Sequence, residues 1–292
     1  MVKMVEENIY TLSPRNLIET ATLSDLLHRK QNHDINGTRN HLESALENIR
    51  ANVSNTSLVE QYAERAIVLN KYAELVADGI NRLIVNSTVH EKMPLLNTLE
   101  ILAKNANLDP VIDLRFEDFT DSIEIANADE LIFLELANYI KNAGESYYKA
   151  GDKKVEGRLP VTLKSKIVSL EDPKKLGENA ILYRIGTPFI RVSVTDQGYG
   201  ISKENLPQIF RKGFSTKSDA DESFRGIGLS LTEHTLMNIH GYLEVKSKEG
   251  KGTTFSLYFP VEHNDYKEMQ KRIHNKKLSM QKPIYGSSEN TD

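Results

Sequence analysis

Apolar residues recur at helical spacing along residues 22–83. The spacing predicts a first helix from Thr22 that ends near residues 53–57. A second helix is predicted from Ser57-Leu-Val-Glu60, which has the form of a capping box. The second helix keeps a three-four apolar spacing from Val59 to Leu83, which is typical of a coiled coil. Because such a hairpin cannot bury its apolar faces alone, we expect two copies to pair as a dimeric four-helix bundle.

Between residues 95 and 260, helical and alternating patterns are mixed, which indicates an α+β fold. Helices are predicted over residues 95–102, 129–142 and 230–239. Strands are predicted at residues 111–116, 161–170, 180–185, 189–195, 241–247 and 253–260. The strands at 161–170 and 180–185 are expected to form an extended hairpin, and the strand at 111–116 is expected at a sheet edge.

The strand at 189–195 ends in Asp196-Gln-Gly198-Tyr-Gly200. Glycine lets a backbone turn sharply or approach a ligand without a Cβ, and a carboxylate accepts a hydrogen bond from a donor such as an exocyclic amine. The pentapeptide therefore suits a ligand loop. By itself it is more typical of an ordinary hairpin turn, because glycine and aspartate are common turn formers.

Two asparagines and a second glycine cluster add candidate chemistry. Asn138 and Asn142 are four residues apart on a predicted helix and share one face, where their carbonyl oxygens would suit Mg²⁺. Gly226 and Gly228 stand at the start of another predicted helix, where free amides and the helix dipole favour phosphate. The alternatives are a polar helix face for the asparagines and a solvated surface loop for the glycines.

The order of these groups resembles the ATP-binding domain of sensor histidine kinases, which belongs to the GHKL superfamily together with gyrase B and the mismatch-repair ATPases. The matching groups are Asn138-x-x-x-Asn142, Asp196-x-Gly198-x-Gly200, Phe210 with Phe214, Gly226-x-Gly228-Leu and Gly250-x-Gly252-Thr-x-Phe. The resemblance covers about 120 residues and implies an α/β-sandwich domain that binds ATP and Mg²⁺.

By this resemblance, Asp196 takes the adenine amine, and Gly198 and Gly200 border the base. Asn138 and Asn142 meet the phosphates and Mg²⁺, with Asn142 as a metal ligand. The remaining residues assigned to the nucleotide site and its lid are Phe210, Lys217, Gly226 and Gly228.

Three positions depart from the pattern of the family. Phe224 replaces a frequent lid glycine, Ser230 interrupts a frequent Gly-Leu-Gly-Leu run, and Glu145 stands where a basic residue often follows the paired asparagines. The segment 151–187 is also longer than a minimal domain of this kind needs.

His33 lies in the first predicted helix, about 160° around the helix axis from Ile35 and thus away from the apolar line. An exposed imidazole can attack a phosphoryl group, and Asp34 could accept its proton or orient its ring. Composition alone gives His28 and His41 equal claims. The resemblance selects His33, because His33-Asp34-Ile35-Asn36 is similar to the phosphoacceptor box of histidine kinases. Gly37 stands where that box usually has Asn or Thr, which makes phosphatase activity doubtful and predicts a local bend.

Composition excludes several classes of protein. The chain of 292 residues has a net charge of −4 and no cysteine, which argues against a nucleic-acid-coating protein, a disulfide framework and a thiolate site. No apolar run is long enough to span a membrane, and the N-terminus does not resemble a signal peptide, so a cytoplasmic location is expected.

The sequence therefore predicts an N-terminal extension (1–20), a dimerisation and phosphoacceptor domain (21–90), an ATP-binding domain (91–261) and a polar tail (262–292). The predicted protein is an ATP-dependent histidine kinase. It would form a homodimer, respond to an upstream sensor domain or protein, and pass phosphate to a response-regulator receiver domain. The alternatives are a serine kinase or a nucleotide-gated scaffold of the same superfamily, and a phosphotransfer protein with a decayed ATP domain.

Overall fold

The structure is a computed structural model. It describes residues 8–12, 20–85, 93–108, 112–117, 127–128, 130–147, 159–215 and 228–261. The predicted tail (262–292) and the predicted domain boundary between residues 86 and 92 lie outside the described residues.

Two long helices form the predicted antiparallel hairpin, α1 (Thr20–Ala51) and α2 (Thr56–Val85). The N-cap of α2 is Asn55 rather than the predicted Ser57. The Asn55 side-chain oxygen accepts a hydrogen bond from the backbone N–H of Leu58 at 3.1 Å. Helix α1 runs through Gly37 without interruption, and the predicted local bend there stays a prediction. A Cβ added at Gly37 would meet nothing within 4 Å.

A six-stranded mixed sheet forms the second part of the molecule, in the order β1-β7-β8-β6-β5-β3. Its strands are β1 (Asn8–Leu12), β3 (Ile112–Glu117), β5 (Leu159–Ser169), β6 (Pro188–Asp196), β7 (Tyr242–Lys248) and β8 (Gly252–Pro260). The pair β3–β5 is parallel, and the other neighbours are antiparallel. A separate pair is formed by β2 (Met93–Pro94) and β4 (Asn127–Ala128).

Three helices pack against the sheet: α3 (Leu95–Leu108), α4 (Glu130–Glu145) and α5 (Thr232–Asn238), the last preceded by a 3₁₀ turn at Leu229–Leu231. We call these helices and the six-stranded sheet the sheet domain. Its core combines apolar residues from α4 with alternate residues of the strands, such as Val161, Val192 and Leu257. The alternation in the sequence marks these positions because every second side chain of a strand points to the same face. The predicted α+β class is confirmed.

The far end of the hairpin packs on the sheet domain. Leu75, Val76 and Ile80 of α2 are buried in the same apolar core as α4, and Tyr72 makes an edge contact with Phe133, with ring centroids 5.3 Å apart. The predicted coiled-coil spacing includes Val76 and Ile80. The structure therefore uses the last part of that apolar line to attach the hairpin to the sheet domain.

The predicted hairpin strand at residues 180–185 is not formed. Strand β5 pairs with β6 instead, and the chain between them contains the 3₁₀ segment Pro173–Leu182, in which Gly177 has a φ of 55°. This segment packs Leu176 into a second apolar cluster with Phe189, Tyr242 and Tyr258. The alternation of residues 180–185 thus reflects packing of a turn-rich segment, because Tyr183 contacts Phe189 while Ile181 and Arg184 are exposed.

The N-terminal strand β1 joins the edge of the sheet, although the sequence pattern predicts no element in residues 1–20. It pairs antiparallel with β7, with Tyr10 opposite Val245 and Leu12 opposite Leu243. Within the described residues, no helix is long and apolar enough to cross a membrane.

Candidate functional site

The Asp196 loop is held in place by contacts that only glycine permits. Gly200 has a φ of 69°, and a Cβ there would collide with the Lys248 carbonyl oxygen. A Cβ at Gly198 would collide with Ser146 at the end of α4. The two predicted glycines therefore let the loop pack against neighbouring backbone, which fixes the position of Asp196.

The Asp196 carboxyl group is buried at the end of β6. Its Oδ1 accepts hydrogen bonds from the backbone N–H groups of Gly198 at 2.8 Å and Thr253 at 3.2 Å. Burial raises the pKa of Asp196, and the hydrogen bonds from Gly198, the Ser146 hydroxyl and Thr253 oppose this shift. The result is a fixed carboxyl group in a sheltered site, which is suited to accept a hydrogen bond from a ligand.

Two residues after α4 tie that helix to the Asp196 loop. The Ser146 carbonyl accepts from the Tyr199 N–H at 2.9 Å. The Tyr147 hydroxyl accepts from the Gln197 N–H at 2.8 Å and donates to the Pro160 carbonyl at 2.6 Å. The C-terminal end of α4 and the Asp196 loop are therefore one connected unit.

Asn138 links α4 to the second glycine motif. Its side-chain nitrogen lies 3.5 Å from the Gly228 carbonyl oxygen, a long hydrogen bond. A Cβ at Gly228 would lie 3.4 Å from the Asn138 Oδ1. Asn142 is one turn further along α4 and is half-buried, so the two asparagines share a face of α4 as predicted. Helix α4 thus contacts both glycine motifs.

A buried polar network lies beneath Asn138. Glu135 and Tyr139 on α4 are fully buried, and the Thr232 hydroxyl donates to the Glu135 Oε2 at 3.0 Å. Burial and the nearby Glu135 charge raise the pKa of Tyr139, so this phenol stays protonated. The network joins α4 to the start of α5 and supports the position of Gly228 just upstream.

Phe210 lies in a series of turns that covers residues 202–214. The turns are closed by backbone hydrogen bonds such as Leu206 N–H to Ser202 carbonyl at 3.0 Å and Arg211 N–H to Gln208 carbonyl at 2.9 Å. Phe210 is buried, and its ring stacks on Tyr10 of β1 with centroids 5.8 Å apart. This places Phe210 beside the N-terminal strand.

Several predicted site residues lie outside the described residues. They include Lys217, Gly226 and the departure from the family pattern at Phe224. His33 and Asp34 belong to α1, but their side chains lie outside the described part of the chain. Their assignment stays a prediction.

The described residues fit a nucleotide-bound Mg²⁺ better than a metal held by protein alone. No group of three or more His, Cys, Asp or Glu side chains in the described ranges is arranged to hold a metal. Asn142 offers a carboxamide oxygen, and Mg²⁺ is commonly bound through one or two protein oxygens together with substrate phosphates.

Sequence reasoning missed the residues that support the site. Ser146 and Tyr147 hold the Asp196 loop, Thr253 donates to Asp196, and Tyr10 packs on Phe210. No spacing rule links Tyr10 to Phe210, because they are far apart in the chain. The Gly252-Thr253 turn was recognised as a motif, and its backbone contact with Asp196 gives the physical reason for it.

Residues 136–263 match the family described as "Histidine kinase-, DNA gyrase B-, and HSP90-like ATPase". The match begins in α4 and ends just after β8, so it covers both asparagines and both glycine motifs. It confirms the resemblance that the sequence motifs predict.

Individual proteins match shorter stretches. A probable C4-dicarboxylate sensor kinase of Halalkalibacterium halodurans is 44% identical over 72 residues, which is 25% of this chain and 13% of that protein. The sensor protein BceS of the same organism is 47% identical over 73 residues, 25% of this chain and 22% of that protein. The catalytic domain of histidine kinase ThkA aligns with a TM-score of 0.42 at 18% identity, covering 60% of this chain and 97% of that chain. The matched stretch therefore spans less than a quarter of either sensor protein.

Proposed function

We propose that the protein is an ATP-dependent histidine kinase of a two-component signalling system. One observation carries the proposal: Ser146, just after α4, contacts the Asp196 loop, and Asn138 on α4 contacts the second glycine motif. The helix that carries the paired asparagines is thereby joined to two glycine motifs that are distant from it in the chain. The match of residues 136–263 to the ATPase family, and the sensor-kinase names of the similar proteins, support the same function.

In the proposed nucleotide site, Asp196 accepts a hydrogen bond from the adenine amine. Its burial excludes water that would compete for this bond, and the backbone donors on its Oδ1 keep the carboxyl group in one orientation. The remaining carboxyl oxygen is the acceptor that could face the base. Gly198 and Gly200 contribute indirectly, since their contacts hold the loop that carries Asp196.

The phosphate end of the site would be formed by Asn138, Asn142 and Gly228, with Gly226 and Lys217 in the adjoining lid. When bound, Mg²⁺ would offset negative charge on the phosphates, and Asn142 would hold it. The half-buried position of Asn142 leaves it accessible from the side of the ligand. The chain's own contribution to catalysis is then mainly positioning.

The phosphoacceptor would be His33. Its ring nitrogen forms a bond to the γ-phosphorus while the bond from that phosphorus to the β–γ bridging oxygen breaks, and ADP leaves. Asp34 would orient the imidazole or accept its proton. The phosphoryl group would then pass to an aspartate of a response-regulator receiver domain.

The hairpin would pair with a second copy as a dimeric four-helix bundle. Near the turn of the hairpin, Ile67 is 69% exposed and Leu46 is 45% exposed. These side chains are available for a second hairpin, whereas those at the far end of α2 are buried against the sheet domain.

Incubation with γ-labelled ATP and Mg²⁺ tests the function. We expect wild-type protein to acquire an acid-labile, base-stable label, and His33→Gln to lose it while still binding ATP. His41→Gln is the matched control, because His41 is an exposed histidine on the same helix. A label that persists in His33→Gln, or one that is stable to acid, would move the chemistry to another residue and favour the serine-kinase alternative.

A further inference from the structure

The N-terminal strand contributes a side chain to the region around the candidate nucleotide site. Strand β1 extends the sheet by pairing five residues with β7, from Asn8 opposite Ser247 to Leu12 opposite Leu243. Alternate residues of β1 face the core. Leu12 is 2% exposed and lies in the main apolar cluster, Tyr10 packs against that cluster, and Ile9 on the other face is 60% exposed. Strand β1 is therefore an integral edge strand of the sheet domain.

Tyr10 of β1 contacts Phe210, which the family resemblance assigns to the nucleotide site. Its ring stacks on Phe210 at a centroid distance of 5.8 Å and an interplanar angle of 20°. Phe210 belongs to a series of turns closed by short-range backbone hydrogen bonds, such as Arg211 N–H to Gln208 carbonyl and Phe214 N–H to Arg211 carbonyl. Phe214 also packs against the main apolar cluster. Leu206, Ile209 and Phe210 all pack into the main apolar cluster, so side-chain packing contributes to where these turns lie.

We propose that Tyr10 is a positioning residue for the nucleotide site: by stacking on Phe210 it fixes the turns at residues 202–214, which directly follow the Asp196 loop. The inference rests on the proposed function, because the site that it positions is the ATP site. The inference adds that nucleotide binding requires residues that precede the phosphoacceptor helix α1. Strand β1 lies directly before α1 in the element order, so the segment that leads into the His33 helix also shapes the nucleotide site.

The test compares three variants of β1 in the full chain. Tyr10→Ala removes the ring, Tyr10→Phe keeps it, and Leu12→Ala truncates a more deeply buried neighbour in the same strand. A purely structural role for β1 predicts that Leu12→Ala is at least as harmful as Tyr10→Ala to every property. A positioning role predicts that Leu12→Ala lowers mainly the thermal stability, whereas Tyr10→Ala lowers mainly the nucleotide affinity.

Hydrogen–deuterium exchange is measured first, on a peptide covering residues 205–214, at a temperature well below the melting point of each variant. We expect faster exchange at the Arg211 and Phe214 amides in Tyr10→Ala, and wild-type exchange in Tyr10→Phe and Leu12→Ala. Unchanged exchange in Tyr10→Ala would overturn the proposal. This measurement does not depend on ATP.

Equilibrium binding of a fluorescent ATP analogue with Mg²⁺ is measured next. Because the aromatic stack stabilises the Phe210 turns, its loss in Tyr10→Ala should raise the Kd for the ATP analogue about three- to tenfold. Tyr10→Phe should keep the wild-type Kd. Equal losses of affinity in Tyr10→Ala and Leu12→Ala would overturn the positioning role. If the wild-type protein binds no ATP analogue, the proposed function is refuted. The exchange measurement then still decides whether Tyr10 positions the Phe210 turns.

Discussion

The sheet domain and the turn end of the hairpin differ in their apolar cores, because the main apolar cluster of the described residues draws on the sheet domain and the far end of α2 but on no residue of α1. In the sheet domain, residues such as Phe133, Leu134 and Leu257 have at most 1% of their surface exposed. At the turn end of the hairpin, Val53 is 73% exposed and Ile67 is 69% exposed. The sheet domain therefore builds its core within one chain, whereas the proposed dimer would cover the apolar side chains that are exposed at this end of the hairpin.

The far end of α2 connects the two regions. Gly79 allows α2 to approach the start of α4 closely, because a Cβ there would lie 2.9 Å from the Glu130 carbonyl oxygen. The neighbouring residues Val76 and Ile80 are buried in the core of the sheet domain. The far half of α2 thus packs on the sheet domain, and the half near the turn is proposed to contact a second copy. Substitutions in the far half should change stability, and those near the turn should change self-association.

The largest expected effect is on the shared core. Phe133→Ala removes a fully buried ring that also contacts Tyr72 of α2, and it should lower the free energy of unfolding by about 3–5 kcal/mol. Ile67→Ala, an exposed position on the same hairpin, should change that free energy by less than about 0.5 kcal/mol under conditions where the chain is monomeric. Urea denaturation measures both. Equal losses of unfolding free energy in Phe133→Ala and Ile67→Ala would contradict the difference between the buried core and the exposed positions of the hairpin.

A second substitution tests whether the sheet domain acts independently of the hairpin end. Asp196→Asn keeps an oxygen that can accept from Gly198 and Thr253 but removes the charge. A hydrogen bond to a charged group contributes about 1.5–3 kcal/mol, so ATP affinity should fall roughly 10- to 100-fold. Isothermal titration calorimetry measures the affinity, and the oligomeric state should not change. Normal ATP binding by this variant would remove Asp196 from the adenine site.

The pH dependence of ATP affinity provides a related test. The pKa of Asp196 is raised in the folded protein, chiefly by burial. Its charged form is therefore lost as the pH falls through that raised pKa, and ATP affinity should decline at a higher pH than an exposed aspartate would allow. Free of ligand, this group favours folding at low pH and loses that contribution as the pH rises through the folded-state pKa. Affinity in Asp196→Asn should lack this pH dependence, which a titration of both proteins would show.

A smaller effect is expected at the open end of the hairpin. Ile67→Asp places a charge at the proposed dimer surface and should weaken self-association at least about tenfold, because burying an unpaired charge is unfavourable. Sedimentation velocity over a concentration series measures this change. Asp78 is already a charged residue on the exposed side of α2, so Asp78→Asn serves as the control and should leave association unchanged. A wild-type protein that stays monomeric at every concentration would refute the bundle.

The smallest expected effect is local to α1. Gly37→Ala should stabilise the protein by about 1 kcal/mol, because glycine is a poor helix former and the added methyl group meets no atom within 4 Å. Thermal unfolding measures the change. Destabilisation would show that another chain occupies the space beside Gly37, which would itself locate a partner contact.

Much of the fold could be predicted from local patterns. Helical periodicity identified α1, α2 and α4, and alternation identified β6, β7 and β8, because these patterns depend on near neighbours in the chain. Two local predictions were wrong. Ser57 is not the cap of α2, since Asn55 holds the Leu58 amide, and residues 180–185 do not form a strand. In both cases a nearby polar residue or a tertiary contact outweighed a plausible pattern.

The sequence by itself determined most of the helices and strands between residues 22 and 260, the family resemblance and the identity of Asp196, Asn138 and Gly228 as candidate site residues. Their spacing carries that information because each motif has a local geometric requirement. Only the tertiary structure decided that β1 joins the sheet, that α2 ends in the core of the sheet domain, and that Tyr10 stacks on Phe210. These contacts join residues far apart in the chain, and their formation depends on shape and burial in the folded molecule rather than on any period in the sequence.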